Sequence, residues 1–309
     1  MDKDNTVVIS EDLDGVRLDA ALRACGDGAS WSRVRAWIQS GKVFVNDRAA
    51  VDPGLRVRAG QHVTVRMYAP RPSAAGRLTS ESIAYVDSHL VVVRKPAGIS
   101  TIPFERGERG ALVELVRAWL TRTAPQRRDR AKRDLGVVHR IDKETSGLVV
   151  FARSLAAKRG LDAQMHAHDV ERQYFAVAHG RVDRATLASR LVANRGDGIR
   201  GSTDDPQRGR QAVTHVAPVK ALRGATLVTC RLETGRTHQI RIHLAEAGHP
   251  LVGERVYVRG MTGPFLPAPR LMLHAATLGF THPVTGLPLQ FDDRMPDDMV
   301  RVIERLERR

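Results

Sequence analysis

The chain has 309 residues, with 49 Lys and Arg against 34 Asp and Glu for a formal charge of +15 and a pI near 10.8. This length predicts a large core domain plus a smaller module, and the charge calls for a polyanionic partner such as nucleic acid, without telling RNA from DNA or from an anionic membrane. Cys25 and Cys230 stand far apart in no CxxC spacing, which excludes a disulfide framework and a thiolate zinc site and reads as two buried small hydrophobes.

No apolar run reaches the roughly 18 residues of a membrane span, and the acidic segment from Met1 to Asp14 is unlike a secretion signal. The expectation is a cytoplasmic protein away from membranes.

Residues 17–66 read as one unit. Leu18, Ala21 and Leu22 mark the apolar face of a first helix, and Val34, Trp37 and Ile38 that of a second, closed by Gly41. Val43 to Val45 leads into a turn at Asn46-Asp47, and Gln61 to Val65 alternates as a strand with one buried face. Arg33, Arg35, Lys42, Arg48, Arg56, Arg58 and Arg66 outnumber Asp47 and Asp52 here, so the unit carries either a basic binding face or a solvated surface. The stretch from Ala69 to Gly76 resists packing, and periodicity resumes at Ile83. The predicted division is a small module over 1–70, a linker over 71–80 and a large domain over 81–309.

In the large domain, strand-like runs at 83–86, 90–93, 148–151, 174–178 and 227–232 alternate with helical stretches, which predicts a mixed α+β domain. One helix shows Leu112, Leu115, Val116 and Trp119 on one face, followed by a basic run containing Arg127 and Arg128 that suits phosphate contact. The Gly- and Arg-rich stretch 194–210 lacks periodicity and reads as a mobile loop.

Chemistry points to Val137-Val-His-Arg-Ile-Asp142-Lys-Glu-Thr-Ser-Gly147, where an apolar run meets a turn. If the backbone is extended through Asp142, Arg140 and Asp142 share a face. An arginine favours the charged carboxylate, which is a competent nucleophile toward a sugar carbon. A structural Asp-Arg ion pair fits the same spacing, so the local pattern does not decide between them.

The stretch from His139 to Gly147 closely resembles the signature of the Rlu family of pseudouridine synthases, with Ile141 where the family usually has Leu. The resemblance continues at Lys95-Pro-Ala-Gly98, Arg172-Gln-Tyr174-Phe-Ala176, Gly235-Arg-Thr-His-Gln-Ile-Arg241-Ile-His243, Gly248-His-Pro-Leu-Val-Gly253, Leu273-His-Ala275 and His282-Pro283. These matches keep the family's order over about 80–298. Arg17-Leu-Asp19, Ser32-Arg33 and Gly41-Lys-Val-Phe-Val-Asn46 resemble the RNA-binding module named after small ribosomal protein four.

The resemblance implies a mainly antiparallel sheet of pseudouridine synthase type and an enzyme that isomerises uridines within RNA, with Asp142 as its essential carboxylate. It makes Tyr174 the active-site tyrosine and Arg241 the partner of Asp142. Arg140, Arg236 and Thr145 become substrate contacts, and Arg140 has a part in extruding the target nucleotide. Arg33, Arg35, Lys42, Arg127 and Arg128 are the expected RNA contacts. The isomerisation is redox-neutral and implies no metal or organic cofactor, in keeping with a sequence that lacks a phosphate loop, a dinucleotide fingerprint and an HExxH motif. A monomer acting on large-subunit ribosomal RNA is expected, with transfer RNA as the alternative substrate.

Rival readings are an inactive RNA-binding or ribosome-assembly factor, a glycosidic hydrolase using Glu144 as a second acid, and a metal site built from His139, Asp142, His238 and His243. On one helix His238 and His243 would diverge by about 140°, which disfavours shared ligation. Lys95 stands either at a strand end near the pocket or in a plain turn. The chain departs from the family pattern at Ile102, where His is common, at Glu254, where Asp is frequent, and in the arginine-rich 181–212 stretch.

Overall fold

A computed structural model describes residues 5–25, 28–67, 69, 78–103, 109–123, 135–258 and 262–307. Arg127 and Arg128, with the basic run around them, lie outside the described residues. The chain divides into two compact units, one drawn from 1–76 and 103–111 and the other from 77–102 and 112–309.

In the first unit, helices α1 (Leu18–Cys25) and α2 (Trp31–Gln39) accompany strands β1 (Asn5–Val8), β2 (Val43–Val45), β3 (Arg48–Ala50) and β4 (His62–Val65). The strands pair in the order β1-β4-β2-β3, antiparallel throughout. Leu18, Ala21, Leu22, Val34, Ile38 and Val63 meet in its core, so the apolar faces expected of both helices and of the last strand point inward. Ser30 caps α2 by accepting from the Arg33 N–H at 3.3 Å. The β2–β3 turn places Asn46 and Asp47 at φ 47° and 61°, the left-handed pair a two-residue hairpin turn requires. β1 lies upstream of the 17–66 unit read from sequence, because a short polar strand without alternation carries no periodic signal.

The second unit contains β5 (Ile83–Val86), β6 (Leu90–Lys95), β7 (Gly136–Val137), β8 (Ser146–Ala152), β9 (Glu171–His179), β10 (Ala185–Val192), β11 (Gly201–Thr203), β12 (Arg210–Leu222), β13 (Ala225–Leu232), β14 (Leu273–Thr281) and β15 (Pro288–Asp292). Its helices are α3 (Leu112–Thr123), α4 (Leu155–Ala167), α5 (Gln239–Glu246) and α6 (Asp297–Glu307). One sheet runs β11-β10-β12-β13-β9-β14-β8-β6-β5, with β15 on β14 and β7 on β8. The described pairings are antiparallel except β8–β14, which is parallel, so the fold is α+β with a mainly antiparallel sheet.

β8 is buried at every position, and helix α4 covers it through Ala157 and Leu161 beside Leu148 and Val150. On another part of the sheet, α6 buries Met299, Val302 and Ile303 among Val177, Leu227 and Met272. The parallel join sets Ser146 and Gly147 beside His274 and Ala275. Gly147 has φ 115°, and a Cβ there would lie 2.1 Å from the Ala275 carbonyl oxygen, so the close approach admits glycine alone.

The expectation of a loop over the whole of 194–210 is corrected by β11, which pairs with β10 at Gly201 to Thr203. Before it, Asn194 Oδ1 accepts the N–H groups of Gly196 and Gly198 at 2.8 and 3.0 Å. Among the described residues no helix is long and apolar enough to cross a membrane.

Candidate active site

Asp142 sits in the connection from β7 into β8, and its backbone is tied from several directions. Thr101 Oγ1 donates to the Ile141 carbonyl at 2.9 Å and accepts the Ile141 N–H at 3.2 Å. The Thr145 N–H donates to the Asp142 carbonyl at 3.1 Å, and the Gly98 N–H to that of Lys143 at 2.8 Å. His139 Nε2 accepts the Val150 N–H at 3.1 Å. Burial pushes the His139 pKa down to about 3, aided by repulsion from Arg172, so the imidazole is the neutral acceptor this bond requires.

Lys95 ends β6 beneath this connection. Its side chain is buried, and Nζ donates to the carbonyls of Pro96, Ile99 and Lys143 at 3.0, 2.8 and 3.0 Å. Burial lowers its pKa to about 7, against the attraction of Asp142 and Glu144. Three carbonyl acceptors match the three hydrogens of an ammonium, so Lys95 braces the loop and does not face the cleft.

Asp142, Arg140, Thr145, Tyr174, Arg236 and Arg241 line a single cleft of about 460 Å³. Arg140 and Asp142 share it without pairing: Arg140 Nη2 donates to Thr237 Oγ1 at 2.9 Å. Arg241 on α5 is the cation nearer the carboxylate, with Nη1 3.7 Å from Asp142 Oδ2. Its Nε and Nη2 bind Glu254 Oε2 and Oε1 at 2.7 and 2.8 Å, a two-pronged grip that fixes the guanidinium plane. Burial would raise the Glu254 carboxyl, but the Arg241 bonds and the N–H groups of Val256 and Arg255 hold it below the usual range. Glu254, one of the departures from the family pattern, is thus the residue that clamps Arg241.

Tyr174 is 7 % exposed. Burial pushes its hydroxyl up to about 12, with Arg172 opposing and Asp142 adding to the shift, so the ring presents a protonated O–H. Arg236 Nε donates to the Gln211 carbonyl at 3.0 Å. Buried Gln239 stitches the same turn by accepting from the Arg236 N–H at 3.0 Å and donating to the Val213 carbonyl at 2.9 Å.

His238 caps α5 at φ 60°, with Nδ1 2.7 Å from the Tyr257 hydroxyl and Nε2 4.0 Å from Asp142 Oδ1. His243 turns away, its ring nitrogens 2.9 Å from Thr214 Oγ1 and 3.0 Å from Ser189 Oγ. The two histidines diverge because His238 stands outside the helix proper, a reason the helical count did not contain. Among the described residues no group of three or more His, Cys, Asp or Glu side chains is placed to hold a metal ion.

Of the expected RNA contacts in the first unit, Arg33 lies over the Trp37 ring at 5.3 Å. Arg35 pairs with buried Asp19 at 2.9 Å and lies over Trp31 at 5.4 Å. Lys42 Nζ donates to the Ala69 carbonyl.

Reading the sequence alone gives no site role to Arg172, Glu254 or Tyr257 and names His238 only in the rival metal site; it also passes over Met165, His166 and His168, which line the cleft with Arg172 and His238. The one available signal was the spacing of Arg172 from Tyr174, two residues apart on a strand and so on the same face.

A carboxylate opposed by a clamped arginine, beside a buried tyrosine in a cleft lined by four arginines, suits work on the sugar-base bond of a nucleotide. The chain matches the model of the RNA pseudouridylate synthase family over residues 89–246. It is 36 % identical to ribosomal large subunit pseudouridine synthase D of Zymomonas mobilis over 97 % of this chain and 96 % of that one. It is also 35 % identical to the uncharacterized RNA pseudouridine synthase YlyB of Bacillus subtilis, over 98 % of both chains. Among solved structures, human RNA pseudouridylate synthase domain containing 4 shares the fold with a TM-score of 0.61 at 20 % identity, over 74 % of this chain and 93 % of that one. The chain belongs to the RNA pseudouridylate synthase family.

Proposed function

We propose that this chain converts specific uridines of large-subunit ribosomal RNA to pseudouridine, with Asp142 as the carboxylate that works at the sugar carbon. The observation that carries the reading is Asp142 held in a cleft opposite Arg241, 3.7 Å away, with Tyr174 on the same lining. The base detaches at N1, turns and reattaches through C5, while the carboxylate adds to the sugar or balances the positive charge that develops there. Tyr174 stacks on the uracil with its O–H intact. Arg140, held by Thr237 at the exposed rim, helps keep the extruded nucleotide out of its stack, and Arg236 and Thr145 add substrate contacts.

The names of the relatives in Zymomonas mobilis, Xanthomonas campestris and Nitrosomonas europaea, each a ribosomal large subunit pseudouridine synthase D, support ribosomal RNA over transfer RNA. The small unit holds RNA through phosphate contacts from Arg33, Arg35 and Lys42, and Arg127 and Arg128 add to them. The reading is completed by a monomer working in the cytoplasm. The test is release of tritium from uracil C5 in unmodified ribosomal and transfer RNA transcripts, since the new carbon bond displaces that hydrogen. Release from the ribosomal transcript alone is expected. Salt-sensitive binding without release from either would leave an inactive RNA-binding factor.

A further inference from the structure

The cleft is lined by a fourth arginine, to which the steps above give no task. Arg172 lies on β9 two residues before Tyr174, is 7 % exposed and lines the same cleft. Its Nη2 donates to the Glu233 carbonyl at 2.9 Å. Its Nε is buried with no hydrogen-bond partner, and no carboxylate pairs with it among the described residues. The other buried polar atom of the cleft without a partner is Thr145 Oγ1, next to the Asp142 turn.

Buried guanidinium groups are ordinarily paired, because an unmatched charge away from water is costly. Arg172 is further crowded by the like charge of Arg236, which adds to burial in lowering its pKa. A buried cation with a spare donor in a substrate cleft is arranged for an anion that arrives with the substrate or forms from it. Gly235 keeps the place open, since a Cβ there would lie 2.5 Å from Arg172 Nη1.

We propose that Arg172 stabilises the detached uracil during the isomerisation, an inference that rests on the function proposed above. When the bond from the sugar carbon C1′ to N1 breaks, the electron pair leaves with the base, whose negative charge spreads from N1 over O2 and O4. The Arg172 guanidinium donates to one of those oxygens, and the Thr145 hydroxyl is placed for a second. The base then turns, C5 supplies the electron pair of the new bond to C1′, the hydrogen on C5 leaves as a proton, and N1 takes up a proton. Arg241 balances Asp142 on the sugar side, and Arg172 serves the base side of the same ion pair.

The experiment compares single-turnover rates on ribosomal transcripts carrying either uridine or 5-fluorouridine, read by chromatography after digestion as loss of the parent nucleoside, because fluorine at C5 cannot leave as the proton does and the rearranged base keeps it, its C6=N1 bond taking up water instead. Fluorine stabilises the uracil anion by itself, so a base substituted with it needs less help from the protein. Arg172→Met is expected to slow uridine turnover about 10²-fold, the usual effect of losing one donor to a developing anion, without change in RNA affinity. On 5-fluorouridine the loss shrinks by about an order of magnitude, as a free-energy relationship with leaving-group basicity requires. Gly235→Ala, which displaces the guanidinium but keeps its charge, follows the same pattern, and Arg172→Lys falls between it and wild type.

A misfolded variant would lose both rates equally, so equal loss on the two substrates overturns the proposal. Weaker RNA binding with an unchanged single-turnover rate would assign Arg172 to a phosphate and overturn it as well. Wild-type protein inert on both transcripts would remove the proposed function itself, a result distinct from an active wild type indifferent to Arg172.

Discussion

Glu254 holds the Arg241 guanidinium by two parallel hydrogen bonds of 2.7 and 2.8 Å, leaving Nη1 to face Asp142 at 3.7 Å. The arginine that opposes the carboxylate is thus positioned by a residue that does not line the cleft. Glu254→Gln keeps the shape but gives up one charged acceptor, so Arg241 is free to tilt. Turnover is expected to fall about 10²-fold, as loss of sub-ångström positioning does. RNA affinity measured by filter binding should stay the same.

Asp142→Ala removes the carboxylate without touching the bonds that tie the loop, since those run through the backbone of residues 141, 142 and 143. Turnover should vanish while RNA binding holds within a few-fold and the melting temperature is preserved. Tritium release by this variant would overturn the assignment of the carboxylate.

His139 gives stability a specific pH dependence. Its folded pKa, lowered by burial to about 3, lies below the ordinary histidine value of 6.5, so the unfolded chain binds the proton more readily. Stability from this group is complete above pH 6.5 and drains away as pH falls toward 3. In His139→Gln, the Gln Oε1 can accept the Val150 N–H without titrating. Its melting temperature should therefore fall less than that of wild type between pH 7 and pH 4.

Arg33 and Lys42 test binding in the first unit, whereas Arg35 also bears on folding through its pair with Asp19. Arg33→Gln together with Lys42→Gln should lower the slope of log affinity against log salt by about 1.4 to 1.8, the loss of two phosphate contacts. Arg35→Ala instead strips a partner from Asp19, which is 1 % exposed. It should cost about 1–3 kcal/mol of stability, visible in denaturant melts of the whole protein.

Legibility from sequence followed burial. β6, β8, β9 and β13 are apolar enough to stand out by eye, and Leu112, Val116 and Trp119 mark α3 correctly. β10 buries only Leu191 and the far half of β12 is largely exposed, so neither alternation nor an apolar run announces them. β1 and β11 are too short to show a period. At the site, the motif around Asp142 reads directly, but its spacing suggested Arg140 as the ion partner. The structure puts Arg241, the partner that the family resemblance implied, nearer the carboxylate, while Arg140 reaches Thr237. The roles of Glu254 and Tyr257 could not be read for a related reason: they act through Arg241 and His238, and such contacts exist only once α5 is packed.

The parallel join of β8 to β14 bears on when the enzyme becomes competent. Ser146, four residues after Asp142, meets His274 across 128 positions of chain, and Gly147 fits only against Ala275. A growing chain must therefore extend past residue 275 before the strand behind the carboxylate gains its neighbour. Pairings this distant in sequence form late, so a nascent or prematurely ended chain can carry the whole catalytic motif and still lack a finished site.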